Sequence, residues 1–379
     1  MGACHELCGA IKKQGGAVGD FKTLTDMVRS AQANLDKGDW DYLVGAADTE
    51  ASLRRNRSAL ESWVFLPRIL QDVSKVNTAT QLLGQTLRIP VVLPPIGSIQ
   101  AFTEQGGSAV AQAADEFGVL HILSSSCAPD FETVAQEVPG PRVYQLYLSG
   151  DQAWLDDQIE RTIASGYVGF CLTADTQVYS RRERDLMKGY VPMQARTSTG
   201  TMLDPGGVNY QSTMSWDLVA HIKEKFDIPL IVKGVMNPED AKRCVDVGVD
   251  VVYVSNHGGR QLDHTLACID ALPGVVEAVD GRIPVVVDGG FMRGADVIKG
   301  LCLGATAVGM GRFEALAAAA GGVPAMLRAL SILEREIQIS LALTGVSDVA
   351  DLHPGLLVRD QPLRPSHVLS AFPLLEEGY

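Results

Sequence analysis

The chain has 379 residues, of which 46% are hydrophobic and 20% charged, which excludes a disordered chain, a collagen and a small disulfide-stapled module. Its formal net charge of −13 disfavours nucleic-acid binding, because neutralising phosphates needs a basic face. We also expect no membrane span, since neither a signal-peptide pattern nor an apolar run of about 18 residues is seen.

The seven cysteines predict reduced thiols in a cytoplasmic protein, because their number is odd and several lie inside apolar strand or helix patterns. Cys4 and Cys8, with His5 beside the first, have a spacing that metal sites use. No second ligand cluster follows them, so the sequence predicts no metal.

Eight short β-branched segments predict eight strands, three of which open with Ile-Pro at residues 89–93, 228–232 and 283–287. None alternates apolar with polar residues, so both faces should be buried, as in a parallel sheet. The eight segments centre near residues 92, 122, 145, 171, 231, 253, 286 and 308.

Helical stretches separate these strands, for example residues 108–117 and 151–165, and Asn237 followed by Pro238 gives a typical helix start. Eight βα units predict a (β/α)8 TIM barrel. A doubly wound open sheet is the alternative, but no Gly-x-Gly-x-x-Gly follows the first strand.

The whole chain, residues 1–379, is interpreted as a single domain built on this barrel. Residues 1–88 are predicted to be covering helices, residues 89–354 the barrel, and residues 355–379 a surface tail. The long gap between strands four and five contains residues 189–207, rich in Gly, Ser, Thr and Met, and predicts an extended loop over the barrel mouth.

Polar and charged residues follow the predicted strand ends, where a TIM barrel places its chemistry. Each of them alone is more often a loop cap or a surface ion pair, but as a set in register they predict one site. Glycine-rich turns after strands seven and eight favour a phosphate group. The set comprises Tyr147, Asp175, Arg182, Lys233, His257, Arg260, Asp288 and Arg312.

The run Ser-Asn-His-Gly-Gly-Arg-Gln-Leu-Asp at residues 255–263 resembles the signature of FMN-dependent 2-hydroxy-acid oxidases and dehydrogenases. That family includes glycolate oxidase, lactate oxidase and mandelate dehydrogenase. The resemblance extends from about Trp40 to about Leu357. Supporting matches are Asp41-Tyr42, Asn56, Pro67-Arg68, Leu123-Ser124-Ser125, Gln145-Leu146-Tyr147, Thr173-x-Asp175, Arg182-Glu183 and Lys233-Gly234.

For the substrate, the resemblance implies that His257 removes a proton and that Asp175 stabilises the resulting imidazolium. Arg260 would hold the substrate carboxylate, with Tyr42 donating a second hydrogen bond and Arg182 adding positive charge. Tyr147 would contact the substrate hydroxyl. Ser126 and Tyr179 would border the substrate side chain.

For the cofactor, the resemblance implies FMN, with Lys233 beside the part of the flavin ring that becomes negative on reduction. The remaining predicted cofactor contacts fall into two groups. Those at the ring are Pro95, Ile96, Gly97, Ser124, Gln145, Thr173 and Ser255. Those at the ribityl chain and phosphate are Asp288, Gly290, Arg293, Gly311 and Arg312.

Four positions depart from the family pattern. Met292 stands where the family usually has a phosphate-contacting arginine, which leaves two expectations: FMN binds more weakly, or Arg312 and backbone amides suffice for the phosphate. Ser126 stands where glycolate oxidase has a large aromatic residue. Ile96-Gly97 replaces the common Thr-Ala at the flavin. Gly97 lies where the family's reactivity with oxygen is tuned, so at this point the sequence is compatible with an oxidase and with a dehydrogenase.

The sequence therefore predicts an FMN enzyme that oxidises an (S)-2-hydroxy acid, with a bulky or aromatic, mandelate-like side chain, to the 2-oxo acid. The reduced flavin would pass its electrons to O2 and give H2O2, since no haem domain or membrane-inserting loop is recognised. The resemblance also implies a homo-oligomer, often a tetramer. Alternatives are a biosynthetic enzyme for a peptide-derived or larger substrate, and an inactive flavin-binding module.

Overall fold

The protein is described here by a computed structural model that covers residues 21–189, 209–363 and 365–377. The predicted Cys4 and Cys8 pair lies outside these residues. So does nearly all of the extended loop predicted at residues 189–207.

The N-terminal segment begins with three helices, as predicted: α1 (Leu24–Asn34), α2 (Lys37–Val44) and α3 (Ala51–Ser62). The prediction of helices up to residue 88 was wrong for its last part, which contains β1 (Trp63–Phe65), β2 (Thr80–Leu82) and β3 (Gln85–Leu87). Strands β2 and β3 form a hairpin whose two turn residues both have positive φ, the geometry that two-residue hairpins favour. The turn sequence, Leu-Gly, is not a typical hairpin signal, so sequence alone missed it.

Within the described residues, eight parallel strands form a closed barrel, which confirms the predicted TIM fold. Neighbouring strands pair in chain order, and the last strand closes on the first through Val308 and Val91. The barrel strands are β4 (Val91–Leu93), β5 (Leu120–Ser124), β6 (Arg142–Leu146), β7 (Gly169–Thr173), β8 (Leu230–Val235), β9 (Val251–Val254), β10 (Val285–Val287) and β11 (Ala307–Gly309).

Helices follow the barrel strands where the capping residues predict them. Asp151 accepts a hydrogen bond from the backbone of Trp154, and Asn237 accepts one from Glu239, so each starts a helix. The helices are α4 (Gly106–Phe117), α5 (Phe131–Glu137), α6 (Gln152–Ala164), α7 (Glu183–Lys188), α8 (Trp216–Lys225), α9 (Pro238–Asp246), α10 (Cys268–Val279), α11 (Gly294–Cys302) and α12 (Gly311–Leu343).

The core has two layers because successive residues of a strand face opposite sides of the barrel wall. Val143, for example, packs inside the barrel, whereas its neighbour Tyr144 packs outside against the helices. Leu82 and Leu87 of the hairpin join the inner layer. The hairpin therefore closes the barrel from below, and chemistry is confined to the opposite end.

Helix α12 is long and apolar enough to span a membrane by length and composition alone. Its residues Ala315, Leu316, Met326 and Leu330, however, are buried in the protein core, and its backbone departs from helical geometry at Gly321 and Gly322. It packs against α1, α4 and α11. These contacts are those of a core helix.

The C-terminal segment is more than the predicted surface tail. Its strand β12 (Leu357–Arg359) pairs antiparallel with β1, and Ser370 donates a hydrogen bond to Glu61 at 2.7 Å. The Phe372 side chain is 1% exposed, whereas Leu363 is fully exposed. Prolines in this segment correctly indicated irregular backbone, but burial depends on partners far away in sequence.

We expect Phe372→Ala to lower the free energy of unfolding by about 3–5 kcal/mol, because it removes a buried aromatic side chain and leaves a cavity. Leu363→Ala, in the same segment, is the matched control and should change it by less than about 0.5 kcal/mol. Denaturant unfolding of both variants measures the difference. Equal effects would show that the segment is not packed as described.

Candidate active site

A cavity of about 1210 Å³ opens at the carboxyl ends of the barrel strands. Ligand pockets usually measure about 300–1,000 Å³, so this one has room for more than one small molecule. Its lining comes mainly from the loops that follow seven of the barrel strands: β4, β5, β6, β7, β9, β10 and β11. Lys233 of β8 and parts of helices α2 and α3 complete it.

His257 and Asp175 form the central pair of this site. His257 Nδ1 lies 3.0 Å from Asp175 Oδ1, although 82 residues separate the two in the chain. Because a carboxylate only accepts hydrogen bonds, Nδ1 carries the proton and Nε2 is left as an acceptor. His257 lines the cavity, while Asp175 lies behind it.

Burial and charge set the protonation of this pair. Burial lowers the pKa of His257, although the negative charge of Asp175 opposes this, so the imidazole is neutral near pH 7. Burial alone would raise the pKa of Asp175, but the contact with the His257 N–H and the positive charge of Lys233 hold it below its ordinary value. The pair is thus a neutral base backed by an ionised carboxylate.

The turn that carries His257 is held in an unusual conformation. His257, Gly258 and Gly259 all have positive φ, which is unfavourable for a residue with a side chain such as His257. A Cβ at Gly259 would lie 2.5 Å from the backbone nitrogen of Leu53, so only glycine fits against α3 there. Asn256 secures the turn by exchanging two side-chain hydrogen bonds with Asn56 of α3, at 2.9 and 3.1 Å.

Asp263, the last residue of the signature, caps helix α3 from a distance. Its carboxylate accepts hydrogen bonds from the backbone nitrogens of Thr49, Ala51 and Ser52 at 3.1, 3.3 and 2.8 Å. Burial opposes its charge, but these bonds hold its pKa well below the ordinary value. The local N-cap residue, Glu50, makes no side-chain cap, so Asp263 replaces it.

Lys233 supplies a buried positive charge. Its Nζ donates to Ser255 Oγ at 2.9 Å and lies 3.6 Å from Asp288 Oδ2. Burial would lower the pKa of Lys233, but the negative charges of Asp288 and Asp175 raise it above its ordinary value. Ser255 does not line the cavity; its hydroxyl also accepts from the His257 backbone N–H at 3.0 Å, so it links the lysine to the histidine turn.

Three arginines line the cavity: Arg182, Arg260 and Arg312. Arg260 donates to the carbonyls of Tyr42 and Gly45, and Arg312 donates to those of Leu43, Gly45 and Gly258. Burial, together with neighbouring arginine charges, lowers the pKa of Arg260 and brings that of Arg312 to about 9. Uncharged carbonyls hold these guanidinium groups, so their charge is available to an anion.

Aromatic rings flank these cations. The Arg182 guanidinium lies 4.6 Å from the centroid of the Tyr179 ring, and that of Arg260 lies 4.7 Å from the Tyr42 ring. The Tyr42 hydroxyl donates to the Gly97 carbonyl at 3.3 Å. Burial raises the pKa of Tyr147, so its phenol stays protonated and can donate a hydrogen bond.

Small residues border the remainder of the mouth. Ser126 lines the cavity, and its backbone carbonyl accepts from Ser98 at 2.7 Å. Pro95, Ile96 and Gly97 line it from the loop after β4. Ser124 lies below them, where its hydroxyl accepts from the Ser126 backbone N–H at 3.1 Å.

Several buried polar atoms at the strand ends have no hydrogen-bond partner among the described residues. They are Nε2 and Oε1 of Gln145, Oγ1 of Thr173 and Oδ1 of Asp288. Buried polar groups are nearly always hydrogen-bonded, so these atoms indicate a ligand with both donors and acceptors. The polar edge of a flavin ring and the hydroxyls of a ribityl chain fit this requirement.

The turns after β10 and β11 fit a phosphate group. Gly290 and Gly311 line the cavity, and Gly311 opens α12, whose first backbone N–H groups have no partner within the helix. Met292 also lines the cavity and is buried. These turns, together with Arg312, give the phosphate end its backbone donors and a positive charge.

Arg293 is not brought to this cavity, contrary to its predicted cofactor contact. Its guanidinium pairs with Glu336 of α12 at 2.6 and 3.0 Å and donates to the Ala371 carbonyl. Arg293 is the N-cap of α11, and from that position its side chain faces α12.

Residues 31–359 match the family described as FMN-dependent dehydrogenase. The chain belongs to this family. It is 33% identical to an L-lactate oxidase of Lysinibacillus sphaericus, over 88% of this chain and 92% of that one. It is 35% identical to glycolate oxidase 5 of Oryza sativa, over 88% of this chain and 95% of the relative.

Solved structures show the same fold. A mandelate oxidase structure with (S)-2-phenylpropionate superposes with a TM-score of 0.82 at 32% identity, covering 91% of this chain and 100% of that one. A soluble mutant of the membrane-associated (S)-mandelate dehydrogenase from Pseudomonas putida gives a TM-score of 0.82 at 31% identity, covering 88% and 98%. FMN is therefore the cofactor of this family member.

Five residues outside the predicted set line or support the mouth, and four of them lie in segments that carry no motif. Gln261 lies inside the signature, and its side chain donates to the Asp175 and Val178 carbonyls, so its position was a usable signal. The others had none. They are Arg57, Trp154, Tyr210 and Gln211.

We expect Met292→Arg to tighten FMN binding about tenfold, because a guanidinium beside Gly290 and Gly311 would add a charge-assisted hydrogen bond to the phosphate. Titration of the apoprotein with FMN, followed by flavin fluorescence, measures the dissociation constant. Riboflavin, which lacks the phosphate, is the control ligand. Equal tightening of riboflavin would show that the gain does not arise at the phosphate.

Proposed function

We propose that this enzyme oxidises an (S)-2-hydroxy acid with a bulky or aromatic side chain to the 2-oxo acid, with O2 as electron acceptor and H2O2 as second product. The observation that carries the proposal is the His257 turn: a neutral base with a free Nε2 and a carboxylate-binding arginine, Arg260, lie three residues apart on one loop.

Charge complementarity explains how the substrate would be oriented. The substrate carboxylate would meet Arg260 and Arg182, and the Tyr42 hydroxyl would turn from the Gly97 carbonyl to donate to it as well. Protonated Tyr147 would donate to the substrate hydroxyl. Held at two points, the α-carbon would present its hydrogen to the cavity side of His257.

Proton removal would leave positive charge on His257. Asp175, bonded to Nδ1, stabilises that imidazolium, and Lys233 and the arginine cluster stabilise negative charge that develops on the opposite side. When bound, FMN would supply the acceptor for the two electrons and a donor of them to O2. The substrate gives up its α-hydrogen and its hydroxyl hydrogen as two protons and two electrons; His257 takes one of the protons, and both protons and both electrons reach O2 as H2O2.

The size of the cavity supports a large substrate side chain. Ser126 is small, and beyond it the cavity is lined by Leu148, Trp154 and Tyr210, which are apolar or aromatic. Mandelate oxidases and a mandelate dehydrogenase are among the similar structures, and both act on an aromatic 2-hydroxy acid by name. Relatives named as L-lactate and glycolate oxidases support O2 as the acceptor.

A second candidate is a biosynthetic FMN enzyme that acts on a larger or peptide-derived 2-hydroxy acid. The observation that favours it is the extension of the cavity to Trp154 and Gln158 on helix α6, beyond the residues needed for a phenyl ring. A cytoplasmic location suits either candidate.

The reaction is tested by anaerobic mixing of the FMN-loaded protein with (S)-mandelate, followed by flavin absorbance. We expect bleaching by mandelate that is faster than by glycolate, and oxygen uptake when air is admitted. His257→Gln should retain FMN but lose at least about 100-fold in the rate of bleaching, because the base is gone. A flavin that stays oxidised with all 2-hydroxy acids would defeat the proposal.

We expect Ser126→Trp to reverse the substrate preference, because an indole at this position would fill the room beside the α-carbon substituent. The ratio of mandelate to glycolate in kcat/KM should fall at least tenfold, whereas glycolate turnover should change little. Ser331→Trp, at an exposed position of α12 outside the cavity lining, is the matched control. Preference for a longer side chain over mandelate in the wild type would favour the second candidate.

A further inference from the structure

Gln211 is a buried polar residue at the point where the described chain returns to the barrel after β7. It lies in the short 3-10 turn Tyr210–Thr213, and its side chain is 1% exposed. A buried carboxamide must have its hydrogen bonds satisfied, so its partners reveal what it holds.

Both ends of this carboxamide are engaged. Its Oε1 accepts a hydrogen bond from the backbone nitrogen of Leu148, and its Nε2 donates to the Thr173 carbonyl at 2.9 Å and to Thr176 Oγ1 at 3.2 Å. Leu148 follows β6, whereas Thr173 and Thr176 bracket the end of β7. One side chain therefore bridges the loops of two neighbouring strands.

These loops carry two residues of the reaction centre. Tyr147 directly precedes Leu148, and Asp175 lies between Thr173 and Thr176. The register between β6 and β7 ends at Leu146 and Leu172, so no pairing of these two strands joins their loops to each other beyond that point. The β7 end is held on its other side, where Thr173 pairs with Lys233 of β8. Gln211 continues the connection where the sheet stops.

We propose that Gln211 is a positioning residue, which fixes the Tyr147 loop and the Asp175 loop relative to each other and so keeps Asp175 against His257. The role rests on the proposed function of His257 as the base. Gln261 holds the Asp175 carbonyl from the opposite side at 3.4 Å, so loss of Gln211 would displace the β7 loop without releasing it.

The charges around His257 determine how such a displacement would change the pKa of His257 and the pH dependence of the rate. Asp175 raises the pKa of His257, whereas burial and the positive charges of Lys233 and Arg182 lower it. A looser Asp175 contact therefore lowers the pKa of His257 further. Since the base must be neutral to work, the acid limb of the rate against pH moves to lower pH, while the limiting rate falls.

The test uses FMN-loaded Gln211→Met, which has a similar length and none of the three hydrogen bonds. We expect retained FMN, a limiting rate of anaerobic flavin reduction lower by about 10- to 100-fold, and an acid limb at lower pH than in the wild type. Gln211→Leu also lacks all three hydrogen bonds and adds no charge, so it should behave similarly. Thr176→Val, which removes one bond, should show a smaller change in the same direction.

Gln112→Met, on the exposed face of α4, is the matched control and should leave rate and pH profile unchanged. The proposal would be overturned if Gln211→Met had a lower melting temperature but an unchanged limiting rate and acid limb. A merely structural role would lower only the melting temperature. If Gln211→Met does not fold, Gln211→Leu and Thr176→Val decide the same comparison.

A titration of the His257 ring by NMR in the FMN-loaded protein needs no substrate. It should show a lower pKa in Gln211→Met than in the wild type, and an equal pKa would overturn the proposal. If none of the 2-hydroxy acids tried bleaches the flavin of the wild type, the proposed function fails. This titration still decides the role of Gln211.

Discussion

The contact between the Asp175 carboxylate and His257 Nδ1 is the interaction on which the site depends. It fixes the tautomer that leaves Nε2 free, and it offsets the loss of solvation that burial imposes on a charged imidazolium. The two residues follow β7 and β9, and β8, which is hydrogen-bonded to both strands, sets their separation. The barrel is thus a frame that holds a base and its counter-charge at a fixed distance.

The cavity is positively charged although the chain as a whole is acidic, because uncharged groups hold the arginines that line it. The formal charge of the chain is −13, but Arg182, Arg260, Arg312 and Lys233 all line the cavity. The hydrogen bonds described for Arg260 and Arg312 go to backbone carbonyls of residues 42–45 and 258, which fix the guanidinium groups without neutralising them. Acidic substrates would be drawn to this local field and not to the surface as a whole.

The N-terminal helices are part of the site and not only a cover. Helix α3 receives its cap from Asp263 and pairs through Asn56 with Asn256, so it holds the turn of His257 from outside. Helix α2 supplies Tyr42 and the carbonyls that hold Arg260. The signature residues on either side of the base thus act through contacts with α3, and Gln211 has the corresponding place on the β7 side.

The sequence by itself determined the eight strands, their parallel order and the strand ends at which chemistry lies, because unalternated β-branched runs and capped helices are local patterns. It also identified the signature and therefore the family. Only the tertiary structure decided which side chains meet. In the structure, Arg293 pairs with Glu336 and Phe372 is buried in the core. The β2–β3 hairpin closes one end of the barrel, and Gln211 connects two loops. The physical reason is that each of these depends on partners distant in the chain, and local sequence contains no record of them.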